Sequence, residues 1–265
     1  MGTAVLAQPA TAATRHVGKT ASAPKAKVAP KPKAKVAPKA KVAAKTVTSG
    51  IASFTFDDGL IGQFTNARPA LLAAHMPGTF YIISDGLGWG TQSNMSPVEV
   101  RRLVADGDEI GNHTRDHPDL TGMSDSEVDA EFADAQSAIK SQVGVTPTTC
   151  AYPHGASNAS VQAVAAKYLR ACRGTDSGTN TAGGLAKYNL VVDYVHSDTT
   201  AADVQTAVNA AKAAHSWVIF VYHGIGNVAS IDDVTTDQFV SHVKAVQASG
   251  IPVKTVSQAL TALGR

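Results

Sequence analysis

Acidic and aromatic residues are missing from the first 48 positions, which contain no Asp, Glu, Phe, Trp or Tyr. This stretch consists mainly of Ala, Lys, Val, Pro and Thr, with an imperfect repeat that reads KAKVAP, KAKVAP and KAKVAA. Such a composition cannot bury enough apolar surface to offset the entropy lost on ordering. We therefore predict a disordered basic Lys/Ala/Pro linker over residues 14–48.

Long apolar runs are also missing. No stretch of 18 apolar residues occurs, so we predict no membrane span. The first 13 residues, MGTAVLAQPATAA, end in small residues suited to cleavage, although the apolar run at 4–7 is short. We interpret residues 1–13 as the remnant of a signal peptide that begins further upstream, and a segment that is not a signal is the alternative. We predict that the chain is exported.

Cysteine is scarce, with only Cys150 and Cys172 in the whole chain. An exported chain with an even number of cysteines permits one disulfide. The alternative is two buried free thiols on neighbouring strands. Neither cysteine lies in an activating setting, so we do not predict a cysteine nucleophile.

Charge is divided unevenly along the chain. Arg15 and nine lysines give the first 48 residues ten of the 23 basic residues, which leaves 13 basic against 21 acidic residues, about −8, for the rest. The basic linker suits either a spacer or adhesion to an anionic wall polymer. A lysine-rich linker alone does not indicate specific nucleic-acid binding.

Residues 49–265 have an ordinary globular composition and a length typical of one α/β domain. Apolar, β-prone segments alternate with amphipathic helices that begin at capping sequences such as Ser96 and Ser124. This alternation predicts a parallel sheet closed into a barrel of seven or eight strands, with an open doubly wound sheet as the alternative. We expect the strands at 51–56, 78–83, 109–114, 148–153, 169–175, 189–196, 217–223 and 251–256.

Polar residues interrupt this pattern mainly where the predicted strands end. In a parallel barrel these carboxyl ends share one face, which is where active sites collect. The sequence therefore predicts a single site at that face, formed by Asp57, Asp58, His113, His154, Asp193 and His223.

The residue types indicate metal-assisted proton transfer. Of the adjacent acids Asp57 and Asp58, one can bind a metal while the other stays free as a base; an Asx turn that caps a helix is the alternative. One Asp with His113 and His117 forms the ligand class of catalytic zinc, which leaves a position open for water. Iron, cobalt or nickel would also suit this set, and chance placement of the histidines on a surface loop is the other interpretation.

A histidine also ends the most apolar predicted strand, WVIFVYH. The position of His223 at the predicted active face favours a proton donor, and a capped core histidine is the alternative. The remaining histidines on or beside helices and outer loops are expected to be structural, namely His75, His196, His215 and His242.

Four motifs carry a family resemblance: TFDDG at 55–59, HTRDH at 113–117, AYPHG at 151–155 and VYHG at 221–224. In this order and spacing, from about 50 to 260, the chain resembles the polysaccharide deacetylases of carbohydrate esterase family 4, the NodB-homology domain. The resemblance implies a distorted (β/α)7–8 barrel that hydrolyses N-acetyl groups with a divalent metal, Zn²⁺ first and Co²⁺ or Ni²⁺ as alternatives.

By this resemblance, Asp57 matches the general base and His223 the general acid. Asp58, His113 and His117 match the metal ligands. The products would be acetate and a free glucosamine unit.

The third and fourth motifs depart from the family pattern. The Arg that precedes the proline–aromatic pair is missing, since the chain has Ala151-Tyr152 there, and Pro-Tyr becomes Pro153-His154. The resemblance still implies a substrate and oxyanion role for Tyr152, Pro153 and His154, the last through its backbone amide. Arg173 either replaces the missing Arg as partner of Asp57 or is a surface residue. Asp193 matches, weakly, the acid that tunes the catalytic histidine.

Several functions remain open at this stage. The first is N-deacetylation of a polymer that contains N-acetylglucosamine, such as chitin or peptidoglycan, by a monomer that is secreted or associated with the cell wall. The others are ester hydrolysis on acetylated xylan, a non-catalytic polysaccharide-binding protein, and an adhesion protein that acts through its lysine tail.

Overall fold

The computed structural model of the protein describes residues 49–87 and 93–265. The predicted signal remnant at 1–13 and the basic linker at 14–48 lie outside the described residues and stay predictions, as does the domain boundary at 49. Within the described part, no helix combines the length and apolar character needed to cross a membrane.

The described residues form seven strands in a closed barrel. Every neighbouring pair is parallel, and β1 pairs with both β2 and β7, which closes the barrel. The predicted closed barrel is thus confirmed, and the open doubly wound sheet is wrong. The strands are β1 (Ile51–Phe56), β2 (Gly78–Ile82), β3 (Glu109–Asn112), β4 (Thr149–Ala151), β5 (Ala171–Ser177), β6 (Leu190–Tyr194) and β7 (Trp217–Tyr222).

The eighth strand expected at 251–256 is wrong. Val253 forms only an isolated bridge with Ala52, flanked by a hydrogen bond from the Lys254 N–H to the Ala52 carbonyl. The segment stops there because Thr255 caps a helix: its side chain accepts from the backbone of Gln258, whose side chain accepts in turn from the Thr255 N–H. The capping box converts the end of the expected strand into the first turn of a helix.

Seven α-helices lie among the described residues: α1 (Arg68–Ala74), α2 (Pro97–Asp106), α3 (Asp125–Val143), α4 (Ala159–Ala165), α5 (Ala201–Ala213), α6 (Thr236–Ser249) and α7 (Val256–Ala262). The predicted capping boxes are present at Ser96 with Glu99 and at Ser124 with Glu127. Each pair satisfies orphan N–H groups at a helix start, so the helices begin where the sequence predicts.

Alternation along the strands separates two apolar regions. Phe54, Phe56 and Phe220 face outward and pack with the covering helices, for example with Phe239 of α6. Residues at the alternate strand positions point into the barrel. The interior is filled by Ile51, Trp217, Ile219 and Val221 together with Val256 and Leu260 of α7. Helix α7 therefore plugs the barrel at the amino ends of the strands, which leaves the carboxyl ends for polar residues.

Cys150 of β4 and Cys172 of β5 are register partners and form a disulfide, with their Cα atoms 4.4 Å apart. Of the two alternatives drawn from the sequence, the disulfide is confirmed. Both cysteines are buried in a cluster with Phe132 of α3 and Val161 of α4. The bond joins β4 and β5 immediately before Ala151 and Arg173.

Candidate active site

The end of β1 is tied closely to the end of β7. The backbone N–H of Asp57 donates to the Tyr222 carbonyl at 3.0 Å. The side-chain amide of Gln63 donates to the carbonyls of both Asp57 and His223. These bonds fix the backbone positions of Asp57 and His223, two of the predicted site residues.

Asp57 is buried and faces the guanidinium group of Arg173, whose Nη2 donates to Asp57 Oδ1. Burial alone would raise the pKa of Asp57, but the charge of Arg173, with those of His113 and His223, lowers it below its ordinary value. The carboxyl group is therefore held as a carboxylate.

Arg173 is only 1% exposed, so the surface alternative for this residue is wrong. Its guanidinium carbon lies 4.9 Å from the centre of the Tyr81 ring, which supports the charge from within the barrel. Arg173 is also the register partner of Ala151, the position at which the family pattern has its Arg. The guanidinium group thus reaches Asp57 from the next strand.

Asp58, His113 and His117 form one cluster, in which one possible ligand atom from each lies within 4.8 Å of the others. His113 Nε2 is 3.4 Å and His117 Nε2 is 3.7 Å from Asp58 Oδ1. Asp58 and His117 both adopt positive φ, 72° and 67°, which turns their side chains back toward the strand ends.

Protons compete with a metal in this cluster. Burial would lower the pKa of His113, but the charges of Asp57 and Asp58 raise it. His113 Nδ1 lies 2.9 Å from the Ala151 carbonyl and donates to it, so Nε2, which faces Asp58, is the nitrogen left for a proton or a metal. Burial and the neighbouring charge of His113 lower the pKa of His117 to about 4. Burial would raise the pKa of Asp58, but the neighbouring imidazole of His113 lowers it to about 2. Asp58 Oδ1 is buried with no hydrogen-bond partner among the described residues, an acceptor that a cation would satisfy.

His223 follows β7 and completes the group beside Asp57. Its Nε2 lies 3.8 Å from Asp57 Oδ2. The hydroxyl of Tyr194 lies 3.4 Å from Nδ1 and 3.3 Å from Nε2 of the same ring. His223 is thus positioned beside the Asp57 carboxylate.

A pocket of about 510 Å³ opens above these residues. One wall carries His154, whose ring centre lies 4.5 Å from that of His117, and the hydroxyl residues Thr175 and Ser177. The other wall carries Tyr194, His196 and Asp232. The pocket is lined mainly by polar side chains, as expected for a site that receives a hydrophilic substrate.

Three residues of the third motif have different surroundings. His154 lines the pocket in a left-handed backbone conformation with φ 55°. Tyr152 also borders the pocket, yet its hydroxyl donates to the Tyr188 carbonyl at 3.1 Å. Pro153 is buried and is not among the residues that line the pocket.

Asp193 is placed apart from the group. Tyr194, the next residue on β6, lines the pocket, so alternation turns Asp193 to the other face. Burial and the charge of Asp203 on α5 raise the pKa of Asp193, which shows that it faces the helix layer. The weak match of Asp193 to the fourth motif is therefore not supported by the geometry.

Besides Thr175 and Ser177, sequence reasoning missed three further pocket residues. Tyr194 and His196 are two positions apart, which on an extended segment places both on one face; His196, expected to be structural, lines the pocket for this reason. Asp232 lies 36 residues beyond His196, and its Oδ1 is 3.1 Å from His196 Nδ1. No local signal marks Asp232, because tertiary folding alone brings it there.

The fold and the site define a (β/α)7 barrel with a carboxylate, an imidazole and a candidate metal cluster at the carboxyl ends of its strands. Residues 44–170 match the family described as polysaccharide deacetylase, which confirms the resemblance over the range that holds three of the four motifs.

Two curated relatives are similar over part of the chain. A peptidoglycan-N-acetylglucosamine deacetylase of Listeria monocytogenes is 33% identical over 118 residues, 44% of this chain and 24% of the relative. A chitooligosaccharide deacetylase of Sinorhizobium fredii is 38% identical over 87 residues, 32% of this chain and 38% of the relative. The matched region thus spans between a quarter and two fifths of the length of these relatives.

The fold is also similar to that of a family 4 acetyl xylan esterase from Clostridium thermocellum. The TM-score is 0.57 with 20% identity, over 80% of this chain and 90% of that one. At this identity the likeness concerns the fold.

Proposed function

We propose that this protein is a metal-dependent hydrolase that removes N-acetyl groups from a polysaccharide containing N-acetylglucosamine and releases acetate. The observation that carries this proposal is the arrangement around Asp57. Its Oδ2 lies 3.9 Å from Nε2 of His113, a member of the cluster of Asp58, His113 and His117, and 3.8 Å from Nε2 of His223. A base, a metal site and an acid are what acetamide hydrolysis requires.

The cluster has the chemistry of a catalytic metal site. One carboxylate and two imidazoles, which bind a metal once they have released their protons, suit Zn²⁺ and leave a coordination position for water, and Co²⁺ or Ni²⁺ fit the same donors. The similar acetyl xylan esterase carries cobalt in its crystal structure. When bound here, the metal would supply Lewis acidity to the substrate carbonyl and its oxyanion.

The residues of the chain supply the proton transfers. Asp57 takes a proton from water as the water oxygen forms a bond to the acetamide carbon. The backbone N–H of His154 is the proposed donor to the resulting oxyanion. The C–N bond then breaks, its electron pair stays on nitrogen, and His223 gives that nitrogen a proton so that it leaves as a neutral amine.

Arg173 has a supporting role in this scheme. Its buried charge keeps Asp57 ionised despite burial and holds one carboxylate oxygen, so that Oδ2 remains available to water. His154, Thr175 and Ser177 line the wall that would contact the sugar.

The substrate and location are proposed from the relatives. One relative is named for peptidoglycan N-acetylglucosamine and another for chitooligosaccharides. These names support our proposal that the protein acts outside the cell or at the cell wall. We also propose that it is a monomer and that the basic linker is a spacer or an adhesion segment for anionic wall polymer.

Acetate release tests the proposal. The protein is incubated with N-acetylglucosamine oligomers and with acetylated xylan, after chelation and after Zn²⁺ or Co²⁺ is restored. We expect metal-dependent release from the oligomers. Release from xylan alone would move the function to ester hydrolysis. If acetate were released from none of the oligomers, xylan and peptidoglycan, a binding role would be favoured.

A further inference from the structure

His223 has no carboxylate within hydrogen-bonding distance among the described residues. The titratable groups that face it are Asp57 and Asp58 after β1 and Tyr194 of β6. The closest contact to Asp57 is 3.8 Å, too long for a hydrogen bond. A ring that must deliver a proton in one direction needs a partner to fix its orientation.

The hydroxyl of Tyr194 is the side-chain group that meets this need. It lies 3.3 Å and 3.4 Å from the two ring nitrogens of His223, and the two ring centres are 5.4 Å apart. A phenolic oxygen both donates and accepts hydrogen bonds, so it can pair with a protonated or a neutral imidazole.

The backbone fixes this approach. Tyr194 is the register partner of Val221, two residues before His223, and the N–H of Val195 donates to the Val221 carbonyl at 3.1 Å. On its other side the Tyr194 ring lies 4.9 Å from the ring of His196, which is paired with Asp232. Tyr194 is thus held between a paired strand and a neighbouring side-chain pair.

We propose that Tyr194 is a positioning residue for His223. Its hydroxyl lies against both ring nitrogens and so holds the imidazole in the orientation from which its proton reaches the leaving nitrogen. The step it serves is the collapse of the tetrahedral intermediate, in which the C–N bond breaks and the nitrogen takes the proton of His223. This inference rests on the proposed function, in which His223 is the acid.

The test compares two leaving groups in the zinc-loaded, full-length protein. For an N-acetylglucosamine oligomer the amine needs a proton, so Tyr194→Phe should lower kcat roughly 10- to 100-fold with little change in KM. For 4-nitrophenyl acetate the phenolate leaves without a proton, so the same variant should keep its rate. Tyr168→Phe is the matched control, because that hydroxyl contacts Asp129 on the surface.

Equal losses on both substrates, or no loss on the oligomer, would overturn the role of Tyr194. A second readout does not depend on turnover: the ¹⁵N resonances of the His223 ring should shift in Tyr194→Phe and stay unchanged in Tyr168→Phe. An unshifted spectrum would contradict the contact itself. A wild-type protein that releases no acetate would refute the proposed function, and the spectrum would still test the contact.

Discussion

At the scale of single residues, the site depends on one buried ion pair. Asp57 and Arg173 are 116 positions apart in the chain, yet both are almost fully buried and in direct contact. A buried carboxylate without this partner would take up a proton and lose its value as a base. The position of Arg173 therefore determines whether Asp57 can act.

Asp57→Asn tests the role of the base. We expect turnover to fall about 10²- to 10⁴-fold, because the amide cannot accept a proton from water. Metal content should stay at the wild-type level, since Asp58, His113 and His117 are intact. Asp176→Asn, an exposed change on β5, is the control. Acetate release at the wild-type rate by Asp57→Asn would remove Asp57 from the mechanism.

Arg173→Met tests the cost of breaking the pair. The variant leaves the Asp57 carboxylate buried without its partner, so the free energy of unfolding in urea should fall by about 3–5 kcal/mol. The double variant Asp57→Leu with Arg173→Met removes both charges and should recover most of this loss. A single variant as stable as the wild type would show that the pair contributes nothing to folding.

At the scale of elements, the sequence predicts what local rules decide. Strands β1 and β7 follow from apolar runs, and α2 and α3 start at their capping boxes as predicted. The strand predicted at 251–256 is wrong, because the alternation of this segment favours a strand while Thr255 and Gln258 start a helix. The helix forms, since the segment makes only one bridge to β1.

The residues of the candidate site also differ in how far local sequence predicts them. Asp57, Asp58, His113, His117 and His223 lie in local motifs and could be predicted from the sequence. Tyr194 and Asp232 belong to the site only because the barrel closes and brings separate segments together. Asp193 was assigned by a weak motif match, and alternation along β6 places its neighbour in the pocket instead.

The capping box of α5 gives an element-scale prediction. The Thr200 side chain accepts from the Asp203 N–H, and Asp203 accepts in return from the Thr200 N–H. Thr200→Ala should lower the free energy of unfolding by about 1 kcal/mol. Thr206→Ala, in the exposed interior of the same helix, should cause no loss, because Ala is the better helix former. Equal effects of the two changes in urea denaturation would argue against the cap.

Asp108, between α2 and β3, makes stability depend on pH. Burial raises its pKa to about 6, although the Gly78 N–H donates to its carboxylate. The folded protein therefore binds a proton that the unfolded chain has released, and this contribution to stability falls as pH rises from about 4 to 6.

Asp108→Asn removes this titration while its amide oxygen can still accept from Gly78. The variant should be about 1–2 kcal/mol more stable than the wild type at pH 7, with the difference closing near pH 4. Urea denaturation at several pH values measures this. The same difference at every pH would contradict the titration, and Asp176→Asn serves as the exposed control.

At the scale of the whole molecule, the barrel has one apolar end and one polar end. Helix α7 fills the amino end with apolar side chains, whereas buried acids and imidazoles occupy the carboxyl end. Polar groups gathered in this way cost stability unless they are paired. The unpartnered Asp58 Oδ1 shows where a pair is incomplete within the described residues.

Metal binding should therefore stabilise the folded protein. A ligand present at about 100 times its Kd adds about 2.7 kcal/mol to the free energy of unfolding. For a domain of this size the melting temperature should rise by about 5–10 °C when zinc is added to the chelated protein. His113→Ala should lose this rise because one of the three ligands is gone. His196→Ala should keep it, because His196 lines the pocket outside the ligand cluster. If zinc still raised the melting temperature of His113→Ala, the metal would bind elsewhere. If the increase were lost in that variant alone, the stability of the barrel would depend on the same three residues that the motifs indicate.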